Sequence, residues 1–176
     1  MSKNLNFLNS ISLFIPLHNK EKTIVETIKN ITSLISNKNI EIIIVENGST
    51  DNSKSEAIKA IKKYGKNYKI DLLESSLGMG NALKKGFDFS NNDWIYFMPA
   101  DFAFGISDID FIFRNNLFNK FDVFVGSKAH PRSKINRKIS RKIYSKIFNK
   151  VANKLFNISV SDTQGTLIIK RETYNK

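Results

Sequence analysis

The sequence predicts an α/β fold in which a mostly parallel sheet carries helices on both faces. Three observations predict it. Short aliphatic or aromatic runs alternate with amphipathic stretches along the 176 residues, the pattern of strands joined by crossover helices. The run Ile40–Val45 (IEIIIV) is apolar almost throughout, as expected of a strand covered on both sides. Runs also end on Pro16, on Asn47-Gly48-Ser49 and on Pro99, so loops leave one strand end after another. With neither an internal repeat nor a linker, residues 1–176 read as one domain, long enough to bury a substantial core.

Taken in order, Ile11–Ile15 is the first strand, closed by Pro16. Ile24, Val25, Ile28, Ile31, Leu34 and Ile35 recur at helical spacing, which predicts a helix from Glu21 to about Ser36. After the second strand at Ile40–Val45, Asp51 or Ser53 is placed to cap a helix running to about Tyr64. Tyr68–Leu73 is the third strand, and the glycine loop Gly78-Met79-Gly80 opens a helix over Asn81–Phe89. Trp94–Met98 is a buried strand stopped by Pro99, which leaves Asp101 just past its carboxyl end. A helix from about Ser107 to Phe118, a strand at Phe121–Val125 and a last strand at Thr166–Ile169 complete the pattern.

The formal net charge of +12 is concentrated. No acidic residue lies between Asp122 and Asp162, whereas Lys128, Arg132, Lys134, Arg137, Lys138, Arg141, Lys142, Lys146, Lys150 and Lys154 do. Such a block implies an anionic partner or a solvated basic face. Within it Ile135, Ile139, Ile143, Ile147, Val151 and Leu155 recur every fourth residue. A helix has ~3.6 residues per turn, so this stripe drifts by about 40° per step and roughly 200° in all. Either the segment of about 132–156 breaks into two helices, or part of its apolar surface faces something other than the core, a membrane interface being one candidate.

There are no cysteines, which excludes disulfides and thiolate metal sites. No apolar window is long enough to span a bilayer, and the N-terminus lacks a secretory pattern. The sequence has no Walker GxxxxGK[ST] and no HExxH, and His18 and His130 are its only histidines. A Ser-His-Asp hydrolase therefore has little support. Gly78-Met79-Gly80 follows the third strand, not the first, which argues against a Rossmann dinucleotide site.

The loops Pro16–Glu21, Glu46–Asp51 and Pro99–Asp101 should converge on one rim of the sheet, where open α/β sheets bind ligands. Asp101, among Phe97, Phe102 and Phe104, is either a cation ligand or an ordinary turn residue.

Together these segments resemble the family 2 glycosyltransferases of the GT-A fold, in particular the polyprenyl (dolichol) phosphate mannosyl- and glucosyltransferases. Ser12–Glu21 is similar to their opening strand and Pro-x-Tyr-Asn-Glu loop, and Glu41–Asp51 to their strand followed by Asp-Asp-Gly-Ser-x-Asp. Leu77–Gly86 is similar to Gly-x-Gly-x-Ala-x-x-x-Gly. Phe97–Asp101 stands at the Asp-x-Asp position, Val125–Lys128 resembles the Gly-Ser-Arg strand end, and Val160–Gly165 resembles Asp-Thr-Gln-Cys-Gly. The departures are specific. Pro99 replaces the first Asp of Asp-x-Asp, His18 and Lys20 replace the first-loop Tyr and Glu, Glu46-Asn47 replaces Asp-Asp, and Gly165 replaces Cys. The chain is also short at its C-terminus relative to the resembled family.

The resemblance implies transfer of a sugar, with inversion, from a nucleotide-diphosphate sugar to a lipid phosphate, with Mg²⁺ or Mn²⁺ as cofactor. Asp101, Asp162 and Gln164 would be the catalytic residues, lining one cleft, and Asp101 would also be the metal ligand. Pro16, Asn19, Glu21, Glu46, Asn47, Asp51, Gly78 and Gly80 would contact the donor. Lys128, Arg132, Arg137 and Arg141 would bind the phosphates of donor and acceptor. A phosphate acceptor is already ionised near neutral pH (second pKa about 6) and needs no general base. The expected location is cytoplasmic, peripheral on the cytoplasmic face of a membrane. Two rival readings stand beside this one: a truncated or inactive family member that binds sugar nucleotide or a membrane surface, and a nucleic-acid-binding domain. The second is disfavoured because only Tyr144 and Phe148 interleave the basic residues as stacking platforms. No nucleic-acid partner is therefore expected.

Overall fold

The computed structural model describes residues 11–35, 40–102, 105–126, 149–150, 153–154 and 166–175. In chain order its elements are β1 (Ile11–Leu17), α1 (Ile24–Leu34), β2 (Glu41–Glu46), α2 (Ser53–Tyr64), β3 (Lys69–Glu74), α3 (Met79–Phe89) and β4 (Trp94–Phe97). They continue with α4 (Ser107–Arg114), a 3₁₀ turn at Leu117–Asn119, β5 (Val123–Val125), β6 (Leu167–Lys170) and a final helical turn α5 (Arg171–Tyr174).

The six strands form one sheet in the order β3-β2-β1-β4-β6-β5. β3, β2, β1 and β4 run parallel, and β6 runs antiparallel to both β4 and β5. The alternation of side chains along each strand builds two cores. Ile11, Leu13, Ile15 and Leu17 of β1, with Ile42, Ile44 and Tyr96, pack against α1, α2 and α4 through Ile24, Ile28, Ala57, Ile109 and Ile112. On the other face Phe14, Ile43, Val45 and Ile95 meet Ala82 and Phe87 of α3. Gly86 permits that approach, because a Cβ there would fall 2.2 Å from the Phe14 ring.

Several expected boundaries shift for identifiable reasons. β1 does not stop before Pro16; it runs to Leu17, with Pro16 in register with Val45 of β2. Backbone groups alternate between neighbouring strands. The Phe14 carbonyl accepts Met98 N–H on the β4 side, and the Leu17 carbonyl accepts Asn47 N–H on the β2 side. The nitrogen of Pro16 therefore faces β4, so the β1–β2 ladder continues while the β1–β4 ladder ends. By the same parity Pro99 faces β6. Two prolines thus free the carboxyl end of β4 on both sides.

Helix α1 begins at Ile24 and not at Glu21, because residues 21–23 form a turn in which Thr23 and Ile24 N–H both bond Lys20 O. α4 ends at Arg114 because Asn116 is left-handed (φ 51°), which separates the 3₁₀ turn from the helix. β5 begins at Val123, since Phe121 N–H still bonds back to Leu117 O. Of the basic segment, residues 149–150 and 153–154 are helical and the rest lies outside the described residues.

Candidate active site

The strand order reverses between β1 and β4, which stay parallel: the strands after β1 build outward through β2 and β3, and β4 returns to its other side. Ligands of open α/β sheets sit outside the carboxyl ends of the strands at such a switch point. The loops after β1, β2, β3 and β4 are bonded to one another at this rim.

The loop after β1 locks onto the loop after β2. Asn19 N–H donates to Ser49 Oγ (3.2 Å), Lys20 N–H to Ser53 Oγ (2.6 Å) and Glu21 N–H to Asp51 Oδ2 (3.2 Å). In return, Thr50 N–H donates to Asn19 Oδ1 (2.9 Å), and Asn52 donates to Glu21 Oε2 through its backbone (3.1 Å) and its amide (3.2 Å). His18 joins the net with Nδ1 at 2.9 Å from Asn47 O and Nε2 at 3.3 Å from Asn19 Nδ2. Because Asn19 Oδ1 is taken by Thr50 N–H, its NH₂ must face His18. Nε2 is then the acceptor and Nδ1 carries the proton.

Glu46, only 7% exposed, accepts N–H from Ser49 (2.5 Å) and Gly48 (3.2 Å). Burial pushes its carboxyl up, but the Ser49 and Gly48 bonds, with the charge of Lys54, outweigh this and hold it below the ordinary 4.5. Asp51 accepts from Ser53 N–H (2.9 Å), from the Ser53 hydroxyl and from Glu21 N–H. Desolvation again opposes ionisation, and these bonds outweigh it to keep the carboxyl below 3.8. Asp51 thus braces the start of α2 from one residue before the N-cap Asn52.

Asn47 is buried and holds the glycine loop. Its amide donates to Ser75 Oγ (2.9 Å), Ser76 O (2.6 Å) and Gly78 O (3.1 Å), and its Oδ1 accepts Gly78 N–H (3.1 Å). Gly78 has φ 123°, a conformation that L side chains rarely adopt. At Gly80 an added Cβ would meet nothing within 4 Å among the described residues, so their packing does not require a glycine there.

Beyond Met98 the chain that left the ladder is caught by α1. Ala100 O accepts the hydroxyls of Thr27 (2.9 Å) and Thr23 (3.2 Å), and Asp101 follows on an exposed turn. Phe102 then has φ 52° and Asn19 has φ 50°, so two of the non-glycine residues with positive φ stand at this rim. Asparagine tolerates that conformation; for phenylalanine it stores about 1–3 kcal/mol of strain. The turn is held again where Tyr96 Oη donates to Gly105 O (3.2 Å), and Thr166, beside the end of β5, donates to Asp108 Oδ2 (2.6 Å).

The rim therefore gathers Asn19, Glu21, Glu46, Asn47, Asp51 and Gly78 into one bonded set, with Pro16 beside it in β1 opposite Val45. Ala100, the residue before Asp101, is bonded to Thr23 and Thr27, and Gly80 stands on the first turn of α3. Asp162, Gln164, Lys128, Arg132, Arg137 and Arg141 lie outside the described residues. The threonine pair was missed in the sequence, although a polar residue at position 27, sharing a helix face with Ile24, Ile28 and Ile31, was a visible signal. Among the described residues no group of three or more His, Cys, Asp or Glu side chains could hold a metal ion. These residues make no all-protein cage. An exposed carboxylate at the crevice suits a different mode, in which one or two carboxylates share a cation with substrate phosphates.

The sequence model of the family described as Glycosyl transferase family 2 matches residues 12–176. The chain belongs to this family. Among curated relatives, an undecaprenyl-phosphate 4-deoxy-4-formamido-L-arabinose transferase of Enterobacter sp. (strain 638) is 30% identical over 96 residues, covering 53% of this chain and 29% of the relative. A poly-beta-1,6-N-acetyl-D-glucosamine synthase of Staphylococcus aureus (strain COL) is 34% identical over 98 residues, covering 56% and 23%. The chain thus spans less than a third of the length of either relative in these matches. Glucosyl-3-phosphoglycerate synthase from Mycobacterium tuberculosis in complex with UDP superposes with a TM-score of 0.65 at 16% identity, over 98% of this chain and 62% of that one. The same enzyme with Mn²⁺, UDP-glucose and phosphoglyceric acid gives a TM-score of 0.62 at 15% identity. At such identity the likeness shows the fold alone, and it is the GT-A fold.

Proposed function

We propose that the chain is the catalytic part of a glycosyltransferase that moves a sugar, with inversion, from a nucleotide-diphosphate sugar to a lipid phosphate. The observation that carries this is the joining of the strand-end loops at the β1–β4 switch point, with Asp101 beyond the two prolines that end β4. The braced loops after β1 and β2 would hold the nucleoside, and the backbone at Gly78 and Gly80 would give close access to the diphosphate. Asp101 would hold Mg²⁺ or Mn²⁺, which when bound neutralises charge developing on the departing diphosphate. Asp162 and Gln164 would face the sugar, and Lys128, Arg132, Arg137 and Arg141 would bind phosphate oxygens.

The lipid-phosphate acceptor draws its support from the undecaprenyl-phosphate transferase relative; the polysaccharide synthase relative supports the transfer without that acceptor. No helix among the described residues is long and apolar enough to cross a membrane. Binding to the cytoplasmic face of a membrane through the basic, apolar-striped segment of about 132–156 is a further part of the proposal, supported by that segment's charge and apolar stripe. The experiment is transfer of labelled sugar from UDP- and GDP-sugars to polyprenyl phosphate on membranes. Metal-dependent product supports the reading, and its absence with every donor refutes it. A second reading, a family member that binds sugar nucleotide without transferring, is favoured by Pro99 in place of a second carboxylate. It predicts binding with no product.

A further inference from the structure

We propose that Thr27, assisted by Thr23, is a positioning residue that sets the Asp101 carboxylate from the back of the turn. The inference rests on the reading of Asp101 as the metal-binding carboxylate. Ala100 is 3% exposed. Its carbonyl belongs to a chain whose last rung to β1 is Met98 N–H to Phe14 O. Beyond that rung Pro16 offers no N–H, so the ladder with β1 cannot hold the turn. Thr27, 1% exposed, supplies a donor at 2.9 Å from within the core, and Thr23 supplies another at 3.2 Å. A hydroxyl has one proton, and that of Thr23 is shared with Lys20 O at 3.4 Å, so Thr27 is the principal donor.

The peptide plane that these hydroxyls fix joins Ala100 to Asp101. One residue later Phe102 stands at φ 52°, a conformation the turn abandons readily unless it is held. Within the turn the backbone bonds Phe102 N–H to Pro99 O and Gly105 N–H to Phe102 O are short-range and do not tie it to the sheet. Tyr96 of β4 holds the far end of the turn at Gly105 O, and the two threonines hold its near end at Ala100, from the same helix whose preceding loop braces Asp51. A metal-bearing diphosphate in the crevice would thus meet a carboxylate whose direction is fixed from α1.

The test is a double-mutant cycle read by calorimetry as the Mn²⁺ concentration that half-saturates binding of UDP or GDP and as the affinity for the same nucleotide in EDTA. Thr27→Val keeps the side-chain shape and removes the hydroxyl, while Thr27→Ser keeps the hydroxyl. Thr27→Val should raise the required Mn²⁺ about tenfold, the usual scale for losing a partner that orients a metal ligand, and Thr27→Ser should restore it to within about twofold. Asp101→Ala leaves no Mn²⁺ requirement to read, so in that background Thr27→Val should leave the nucleotide affinity in EDTA unchanged. Without nucleotide or metal, amide exchange across residues 100–102 should quicken in Thr27→Val. If that variant does not fold, Thr23→Val at the N-cap of α1 enters the same cycle. A Thr27→Val protein that keeps the wild-type Mn²⁺ requirement, or that loses nucleotide affinity in EDTA by the same factor as with Mn²⁺, overturns this inference alone. Wild type that binds neither UDP nor GDP with Mn²⁺, or Asp101→Ala that binds as wild type does, overturns the Asp101 reading and the inference with it.

Discussion

Asn47→Asp replaces an amide by a carboxylate of the same shape at the point where β2 meets the glycine loop. The wild-type NH₂ donates to Ser76 O at 2.6 Å and Gly78 O at 3.1 Å, and the residue is 4% exposed. The substitution keeps the acceptor for Gly78 N–H, removes both donors and turns an anionic oxygen toward two carbonyls. Two lost bonds at about 1 kcal/mol each, plus partial desolvation of an unpaired charge, come to about 3 kcal/mol. The environment would raise the introduced carboxyl in the folded state above the unfolded value of about 3.9. A raised folded value means a penalty that is full at pH 7 and fades as pH falls toward about 4, where the protonated acid donates again. Urea unfolding of wild type and variant at pH 7 and pH 4.5 measures both terms. A difference below about 0.5 kcal/mol at pH 7, the range of an inert surface change, or a penalty that grows on acidification would refute the assignment of Asn47 as the pin of this loop.

Three further outcomes follow from the packing and the rim. Gly86→Ala puts a methyl 2.2 Å from the Phe14 ring, which is itself wedged against Phe87 and Phe97. A net loss of about 1–3 kcal/mol is expected despite the gain in helix propensity, and a Phe14→Leu background should recover part of it in denaturant melts. Glu41, at the opposite rim, accepts from Ser12, Asn91 and Lys69. Burial pushes its carboxyl up, but these bonds outweigh that and hold it below 4.5, so its contribution is present above that value and lost as pH falls through the lower folded value. Glu41→Gln should therefore lose about 1–2 kcal/mol near neutrality and lose less than wild type between pH 5 and pH 3, read from unfolding midpoints. Asp101→Ala, at an exposed turn, should leave the melting temperature within about 2 °C of wild type while removing metal-dependent nucleotide binding.

The order and type of the described elements were legible because local signals agreed with the final packing. The unbroken IEIIIV run became a strand buried on both faces, and the spacing of Ile24, Ile28 and Ile31 became the buried stripe of α1. Pro16 was misread because a proline's effect depends on which neighbour its nitrogen faces, and that is set by partners far away in sequence. The loop carboxylates show the same limit. Glu46 and Asp51 could be recognised as acidic residues near the rim, but a sequence does not reveal that their oxygens are already engaged by Gly48, Ser49, Ser53 and Glu21. In the observed geometry they shape the loops directly, and any ligand contact would come through atoms those bonds leave accessible. The role of Thr27 is not legible from its place on an apolar helix face alone, since its partner, the Ala100 carbonyl, lies 73 residues away.

The most direct measurement is calorimetric titration of UDP- and GDP-sugars into the wild-type chain and into Asp101→Ala, each with Mn²⁺ and with EDTA. The rim described above requires a sugar nucleotide that binds wild type more tightly with Mn²⁺ than with EDTA, and an Asp101→Ala protein in which that difference disappears while the EDTA affinity is retained. Equal affinities with Mn²⁺ and EDTA in wild type, or a metal effect undiminished by removal of the Asp101 carboxylate, would contradict it.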